Sequence, residues 1–484
     1  MVSSIESFFK NLEQQFLLNR DQLKPIVDGF LNEFQVGLRT PSKGLATMIP
    51  SFVTSLPTGN EMGTFLSLDL GGTNLRISAV QLLGDGHVEV LEVKHCPSTD
   101  LKTGSGDIFF DWIAEAVEEL ITVKARHLFK PEQVNGEETL NLGVCWSFPV
   151  DQTEINRGTI LRMGKGFTLQ NTEGNDLATM FHEAFERKGL NVKVSAILND
   201  TVGTLVAHAY KQPRAKNALI FATGVNASYA EKVENILKLD QAVRDKYPPG
   251  TEMLLNTEID IFGNEEYLPL TKYDLTLDES HNQPKFQLYE KMMSGAYLGE
   301  LTRLVATDFI KAGYLFKGQI PEGFDVAWSF PTKYMSALER YIVLLCFSRN
   351  SDVFLLYCIL SDVTANRQVS LEKILESYNF EQTPSLEDIA ILTRICRIVS
   401  TRSALLCSVA IISLIEQQGL VAKSKGDIFV GMNGSTYEFY PFMEERLHRA
   451  LREWYGSEIS DRIRLDIARD GGSVGGALIA MLAK

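Results

Sequence analysis

The segment Asp69-Leu-Gly-Gly-Thr-Asn-Leu-Arg76 constrains this chain more than any other. A short apolar run, Thr64–Leu70, stops at Gly71-Gly72, and Leu75–Leu83 resumes it, so the two read as a β-hairpin about a glycine turn. Glycines carry no Cβ, which lets turn N–H groups come close to phosphate oxygens. Thr73 and Asn74 add short donors, Arg76 adds a charge that pairs with phosphate, and Asp69 can hold magnesium through water. A lone Gly-Gly turn favours a plain hairpin; this longer pattern after an apolar strand shifts the reading towards phosphate. Ala222-Thr-Gly-Val-Asn226, after the strand-like Ala218–Ala222, has similar chemistry. The G-x-x-x-x-G-K-[ST] pattern is absent, which excludes a P-loop kinase.

Strand and helix signals alternate through most of the remaining sequence, predicting an α/β fold. Leu140–Phe148, Val192–Leu198, Asp427–Met432 and Arg464–Ala468 read as strands. Helical periodicity marks Ile108–Lys124, a stretch from Thr201, and a closing helix at Val474–Leu482. Residues 370–420 read as mostly helical, with Ile391, Leu392, Ile395, Ile398 and Val399 on one apolar face. Near the N-terminus, Ile5, Phe8, Phe9, Leu12 and Phe16 form another amphipathic helix, with Ser3 and Glu6 in capping-box register.

A formal charge of −14 argues against a protein that lives on nucleic acid or acidic membranes. The six cysteines lack C-x-x-C spacing and the seven histidines lack H-E-x-x-H spacing, so neither a disulfide framework nor a zinc site is signalled. A reducing cytoplasm is the expected location, and the N-terminus does not read as a secretory signal. Tyr341–Leu360 holds two apolar runs split by Ser348–Asp352. Neither half reaches the ~20 apolar residues of a spanning helix, so no membrane is expected.

From about Ser51 to the C-terminus the sequence resembles the hexokinase family. The resemblance is carried by SFVTSLPTGNEMGTFLSLDLGGTNLR, by SFP at Ser147–Pro149 with KGF at Lys165–Phe167, and by LNDTVGTL at Leu198–Leu205. It continues through NTE at Asn256–Glu258, EKMMSGAYLGE at Glu290–Glu300, VGMNGSTY at Val430–Tyr437 and RDGGSVGGA at Arg469–Ala477. It implies a ribonuclease-H/actin-like sugar kinase of two α/β domains with an interdomain cleft. Residues 64–204 plus 460–484 would form the small domain, and 1–63 plus 205–459 the large one. The implied reaction is ATP-dependent phosphorylation of a hexose at its 6-hydroxyl, with Mg2+ carried by ATP, in a monomer or homodimer.

The resemblance also implies roles. Asp200 would be the base, and Lys165 would stabilise the transferred group. Ser147, Phe148, Asn199, Asn226, Glu258 and Glu290 would hold the sugar. Gly71, Gly72, Thr73, Asn74 and Arg76, with Thr223 and Gly224, would hold the phosphates. Thr332, Gly434 and Ser435 would lie along the rest of the nucleotide. Taken singly these residues have blander readings: Asp200 as a helix N-cap, Asn226 as a turn residue, Lys165 as a loop charge, Glu290 as a solvated helix residue. Their ordered occurrence reverses that judgement for Asp200, Asn199, Glu258 and Glu290.

Several positions depart from the family pattern. Gly164 stands where threonine is usual, Ile259-Asp260 where tryptophan and glycine are common, and Ala222 in place of a glycine. Lys285 replaces a glycine, Asn433 an aspartate, and Gly472-Ser473 inverts the usual order. A lost sugar hydrogen bond costs about 0.5–1.5 kcal/mol, enough to change selectivity before chemistry. Gly164 and Ile259 would make room for a larger 2-substituent, so an N-acetylglucosamine kinase stays open as an alternative, as does a catalytically weak sugar sensor. Arg340–Leu360 has no counterpart in the family, and its apolar character reads as an untypical gene model, foreign to the fold.

Overall fold

Leu70 and Leu75 face each other across the glycine turn, and the Gly71 N–H donates to the Asn74 carbonyl at 3.0 Å, closing the expected hairpin. The structure, a computed structural model, describes residues 4–41, 46–340, 366–380 and 382–483. In chain order its strands are β1 (Ile49–Pro50), β2 (Met62–Leu70), β3 (Leu75–Gly84), β4 (His87–His95), β5 (Leu140–Trp146), β6 (Val150–Glu154) and β7 (Arg157–Ile160). They continue with β8 (Val192–Leu198), β9 (Asn217–Phe221), β10 (Val225–Lys232), β11 (Glu252–Asn256), β12 (Ile428–Asn433) and β13 (Ile463–Ile467).

Two mixed sheets result, the first in the order β4-β3-β2-β5-β8 and the second in the order β1-β11-β10-β9-β12-β13. The pairs β2–β5, β5–β8, β9–β12 and β12–β13 are parallel, and the remaining pairs of the two sheets are antiparallel. Parallel strands covered on both faces need apolar side chains in both directions, which is why β5 and β8 read as near-continuous apolar runs. On one face of the first sheet, Leu66, Leu68, Val144 and Val194 pack with Phe109, Phe110 and Ile113 of helix Gly106–Glu119 and Phe181 and Phe185 of helix Leu177–Arg187.

Between the sheets lies helix Asp200–Lys211, whose Val202, Leu205 and Val206 share one core with Leu198 of β8, Ala218 of β9, Leu254 of β11 and Ala477 of the closing helix. The expected division placed 460–484 with the first sheet. Strand β13 instead pairs in parallel with β12 in the second, and the chain returns to the first sheet through Gly471–Leu482. This return is a π-type turn, Gly471–Gly475, leading into helix Gly476–Leu482. Gly203 lies against the backbone of Gly471, and Gly143 against that of Gly476, so closely that a Cβ at either glycine would collide with a carbonyl.

The N-terminal helix, Ile5–Phe16, buries Phe9, Leu12 and Phe16. Its cap is Ser4, whose hydroxyl accepts the Ser7 N–H, rather than Ser3, which falls outside the described residues. The helical reading of 370–420 resolves into a helix over 366–376 and helix Leu386–Gln418, the second buried nearly all round rather than along one face. By length and composition it could cross a membrane, yet 94% of its most apolar window is buried inside the protein. The apolar segment Tyr341–Leu360 falls outside the described residues.

Candidate active site

Asn199, not Asp200, caps helix Asp200–Lys211: its Oδ1 accepts the Thr201 N–H at 2.8 Å. Asp200 is therefore the first helical residue, and it lines a cleft of ≈ 1020 Å³ between the two sheets. Burial pushes its carboxyl up, the charge of Asp69 adds to this, and Lys165 opposes it. Helix N-termini favour the ionised carboxylate, which sets a basic group in a pocket that also raises its proton affinity.

The same cleft gathers Ser147, Phe148, Lys165, Asn199, Thr223, Gly224, Asn226, Glu258 and Glu290. Glu258 follows β11 in a left-handed conformation, φ 49°, that turns the chain sharply. Its Oε1 accepts the amides of Asn226 at 3.1 Å and Asn256 at 2.5 Å. Burial raises its pKa, and the neighbouring Asp260 raises it further. Glu290, in the short helix Leu288–Met293, accepts the Val225 N–H at 2.9 Å, and burial pushes it up to about 7. Far from a solvated helix residue, it is 9% exposed.

Lys165 is also left-handed, φ 54°, and its ammonium donates to the Ser147 carbonyl at 3.1 Å while lying 5.7 Å from the Phe148 ring. The glycine turn approaches it from the other side. A Cβ on Gly72 would sit 2.9 Å from the Lys165 Cβ, so bareness at Gly72 is what admits the lysine. The residues Asp69, Gly71, Thr73, Asn74 and Arg76 border this junction and do not line the cleft itself. Arg76 donates to Asp69 at 2.8 Å, and Asn74 donates to Thr73 at 3.0 Å. Lys102, which the sequence reading did not single out, donates to the Gly72 carbonyl at 3.2 Å.

Thr223 also borders a second cavity of ≈ 250 Å³, shared with Thr332 and Ser435. Thr332 is tied down there, donating to the Gly295 carbonyl at 2.6 Å and accepting the Gly299 N–H at 3.0 Å. Gly434, at φ 121°, lies beside this wall without lining it. Two cavities meeting at one glycine-threonine turn suit a two-part ligand.

Two family models for hexokinase match the chain, one over residues 8–210 and the other over 216–482. The chain belongs to the hexokinase family. Hexokinase-1 of Schizosaccharomyces pombe is 32% identical over 99% of this chain and 91% of its own length, and hexokinase-2 of Candida albicans is 34% identical over 98% and 92%. Among solved structures, a Schistosoma mansoni hexokinase complexed with glucose superposes with a TM-score of 0.76 at 29% identity, and another hexokinase with 0.80 at 28%, each over 99% of both chains. This hexokinase-family chain is thus a two-domain phosphotransferase that moves a phosphoryl group to a hexose. ATP is the family's co-substrate, generally with Mg2+.

The two departures expected to enlarge the cleft separate in the structure. Gly164 does line it, and a Cβ added there would meet nothing within 4 Å. Ile259 does not: its side chain is fully buried in the core beneath, so its size does not shape the pocket. The residue after it, Asp260, lines the cleft instead, together with Asn256 and Gln287. The sequence signal for Asp260 was its place two residues after Glu258, on a turn where side chains diverge.

Proposed function

We propose that the cleft phosphorylates the 6-hydroxyl of a hexose, with Asp200 as the base. Asp200 accepts the hydroxyl proton as the oxygen bonds to the terminal phosphorus of ATP. The bond from that phosphorus to the bridging oxygen breaks, and ADP leaves. Lys165 offsets the charge on the transferred group, a positioning-and-charge task typical of phosphoryl transfer. Glu258 and Glu290 accept hydrogen bonds from sugar hydroxyls, and Asn199, Asn226, Ser147 and Phe148 complete the sugar's surroundings. The glycine turns at Gly71-Gly72 and Thr223-Gly224, with Thr73, Asn74 and Arg76, receive the phosphates. Thr332, Gly434 and Ser435 border the remainder of the nucleotide.

A magnesium ion carried by ATP needs only one or two protein carboxylates, because phosphate and water supply its other oxygens. Asp69 fits as a single carboxylate beside the phosphate turn and would hold the ion through water; when bound, the ion neutralises phosphate charge. The cysteines Cys96, exposed, and Cys145, Cys396 and Cys407, buried, are free thiols, as a reducing cytoplasm would keep them.

The observation that carries this reading is Asp200 and Lys165 sharing one cleft with Asn226, Glu258 and Glu290. Replacing Asp200 with alanine should lower turnover by ~10²-fold or more while calorimetric sugar binding survives. Near-normal turnover in Asp200→Ala would refute the assignment.

A further inference from the structure

Two lysines approach the glycine turn Gly71-Gly72 from different directions. Lys165 packs its stem against Gly72. Lys102, in the short helix Thr99–Thr103, donates from its ammonium to the Gly72 carbonyl at 3.2 Å. The same ammonium lies 5.0 Å from the centre of the Phe167 ring. Phe167 is buried and meets Phe148 edge to face, with ring centres 5.3 Å apart, and the Lys165 ammonium lies 5.7 Å from the Phe148 ring.

The backbone around Lys102 is fastened to the loop that bears Lys165. The Thr168 N–H donates to the Lys102 carbonyl at 2.8 Å, the Gln170 N–H to the Gly104 carbonyl at 2.9 Å, and the Gly106 N–H to the Gln170 carbonyl at 2.9 Å. From this fixed base the ammonium makes a charge-assisted hydrogen bond and a cation–π contact, which together hold the side chain in one direction.

What the ammonium controls is a peptide plane. The bond between Gly72 and Thr73 is the central peptide of the turn Gly71–Asn74, the plane whose flip separates type I from type II turns. It is trans, so its carbonyl and its N–H point in opposite directions. Holding the Gly72 carbonyl towards Lys102 sends the Thr73 N–H the other way, on an exposed residue, where it donates to nothing among the described residues. Glycine lets this plane rotate. The Lys102 bond pins it.

We propose that Lys102 is a positioning residue for the phosphoryl donor: by holding the Gly72 carbonyl it presents the Thr73 N–H to a nucleotide phosphate. The inference rests on reading the glycine turn as the phosphate site. Lys102 acts through the turn and not on the reacting atoms.

The test follows the Thr73 amide by NMR in full chains carrying isotopically labelled threonine, with a non-hydrolysable ATP analogue and with adenosine as the phosphate-free control. The Thr73 resonance should move with the analogue and not with adenosine, and the movement should shrink at least twofold in Lys102→Met. Steady-state kinetics on the same variant should show the KM for ATP raised tenfold or more and the hexose KM within twofold of the parent. Lys102→Arg should recover the KM for ATP to within threefold. Lys102→Gln, shorter and uncharged, takes over if the methionine variant does not fold. Equal Thr73 movement in parent and variant, with an unchanged KM for ATP, overturns the role of Lys102 alone. A hexose KM that rises in step with the KM for ATP makes Lys102 a general support of the Lys165 loop and overturns it too. A parental Thr73 amide that the analogue leaves unmoved, or that adenosine moves equally, overturns the reading of the turn as the phosphate site.

Discussion

The Oε2 atom of Glu290 accepts the Val225 N–H at 2.9 Å, and it would meet a Cβ on Gly224 at 2.6 Å. One carboxylate oxygen thus joins the sugar side of the cleft to the turn between β9 and β10. The φ of Gly224 is not positive, so its requirement is for space rather than for an unusual backbone.

Gly224→Ala should therefore displace Glu290 and disturb both ligands. We expect the hexose KM to rise and kcat/KM to fall tenfold or more, read in a coupled ATP-turnover assay. An alanine variant within twofold of the parent on both constants would show that the contact is easily relaxed.

Glu290 also makes stability depend on pH. Burial, with the charge of Glu258, pushes it up to about 7 from 4.5, against the Val225 N–H and Lys291. Between those values the folded chain holds a proton that the unfolded chain has released. The stabilisation is complete below 4.5 and is lost as pH rises through about 7, at no more than roughly 1.4 kcal/mol per pH unit. Hexose affinity runs the other way, because an ionised Glu290 accepts hydroxyl protons better. Melting temperatures of the parent and Glu290→Gln from pH 5 to 8 check this: the parent should fall relative to the variant, and parallel curves would contradict it.

Lys165→Met should separate binding from chemistry. Its stem packs against the glycine turn and its ammonium reaches the Ser147 carbonyl at the cleft wall, so in the proposed transfer kcat should drop ~10²-fold with hexose affinity changing little. Calorimetric hexose binding lost in step with kcat would make Lys165 a sugar ligand instead.

Ile259→Trp and Gly164→Thr should behave oppositely. Ile259 is fully buried, so tryptophan overpacks the core at a cost of about 1–3 kcal/mol without altering sugar preference. Open space at Gly164 accepts threonine with an unchanged melting temperature and a new hydroxyl in the cleft. Thermal denaturation and a hexose panel on each variant test both statements.

Much of the site was legible because its signals are local. The hairpin about Gly71-Gly72 shows as an apolar run broken by glycines, and helix Asp200–Lys211 shows as Asn-Asp before an apolar stretch. What escaped depends on direction. Glu258 in a left-handed conformation sends Ile259 into the core and Asp260 to the cleft, and no periodicity encodes that divergence. Likewise the apolar face at Ile391, Leu392, Ile395, Ile398 and Val399 is only part of what Leu386–Gln418 buries: Ser400, Arg402 and Ser403 are buried too, each hydrogen-bonded to a partner, Arg402 to Asp274 at 2.7 Å and 2.8 Å. Strand β13 was assigned to the other domain because sequence order says nothing of which sheet edge a late strand joins.

Helix Asp200–Lys211 shares its core with strands of both sheets and meets Gly471–Gly475 backbone to backbone. The helix is a keystone held from both sides. Because both lobes grip this one helix, the aim of Asp200 is set by the two together: a substitution that loosens either grip reaches the base directly.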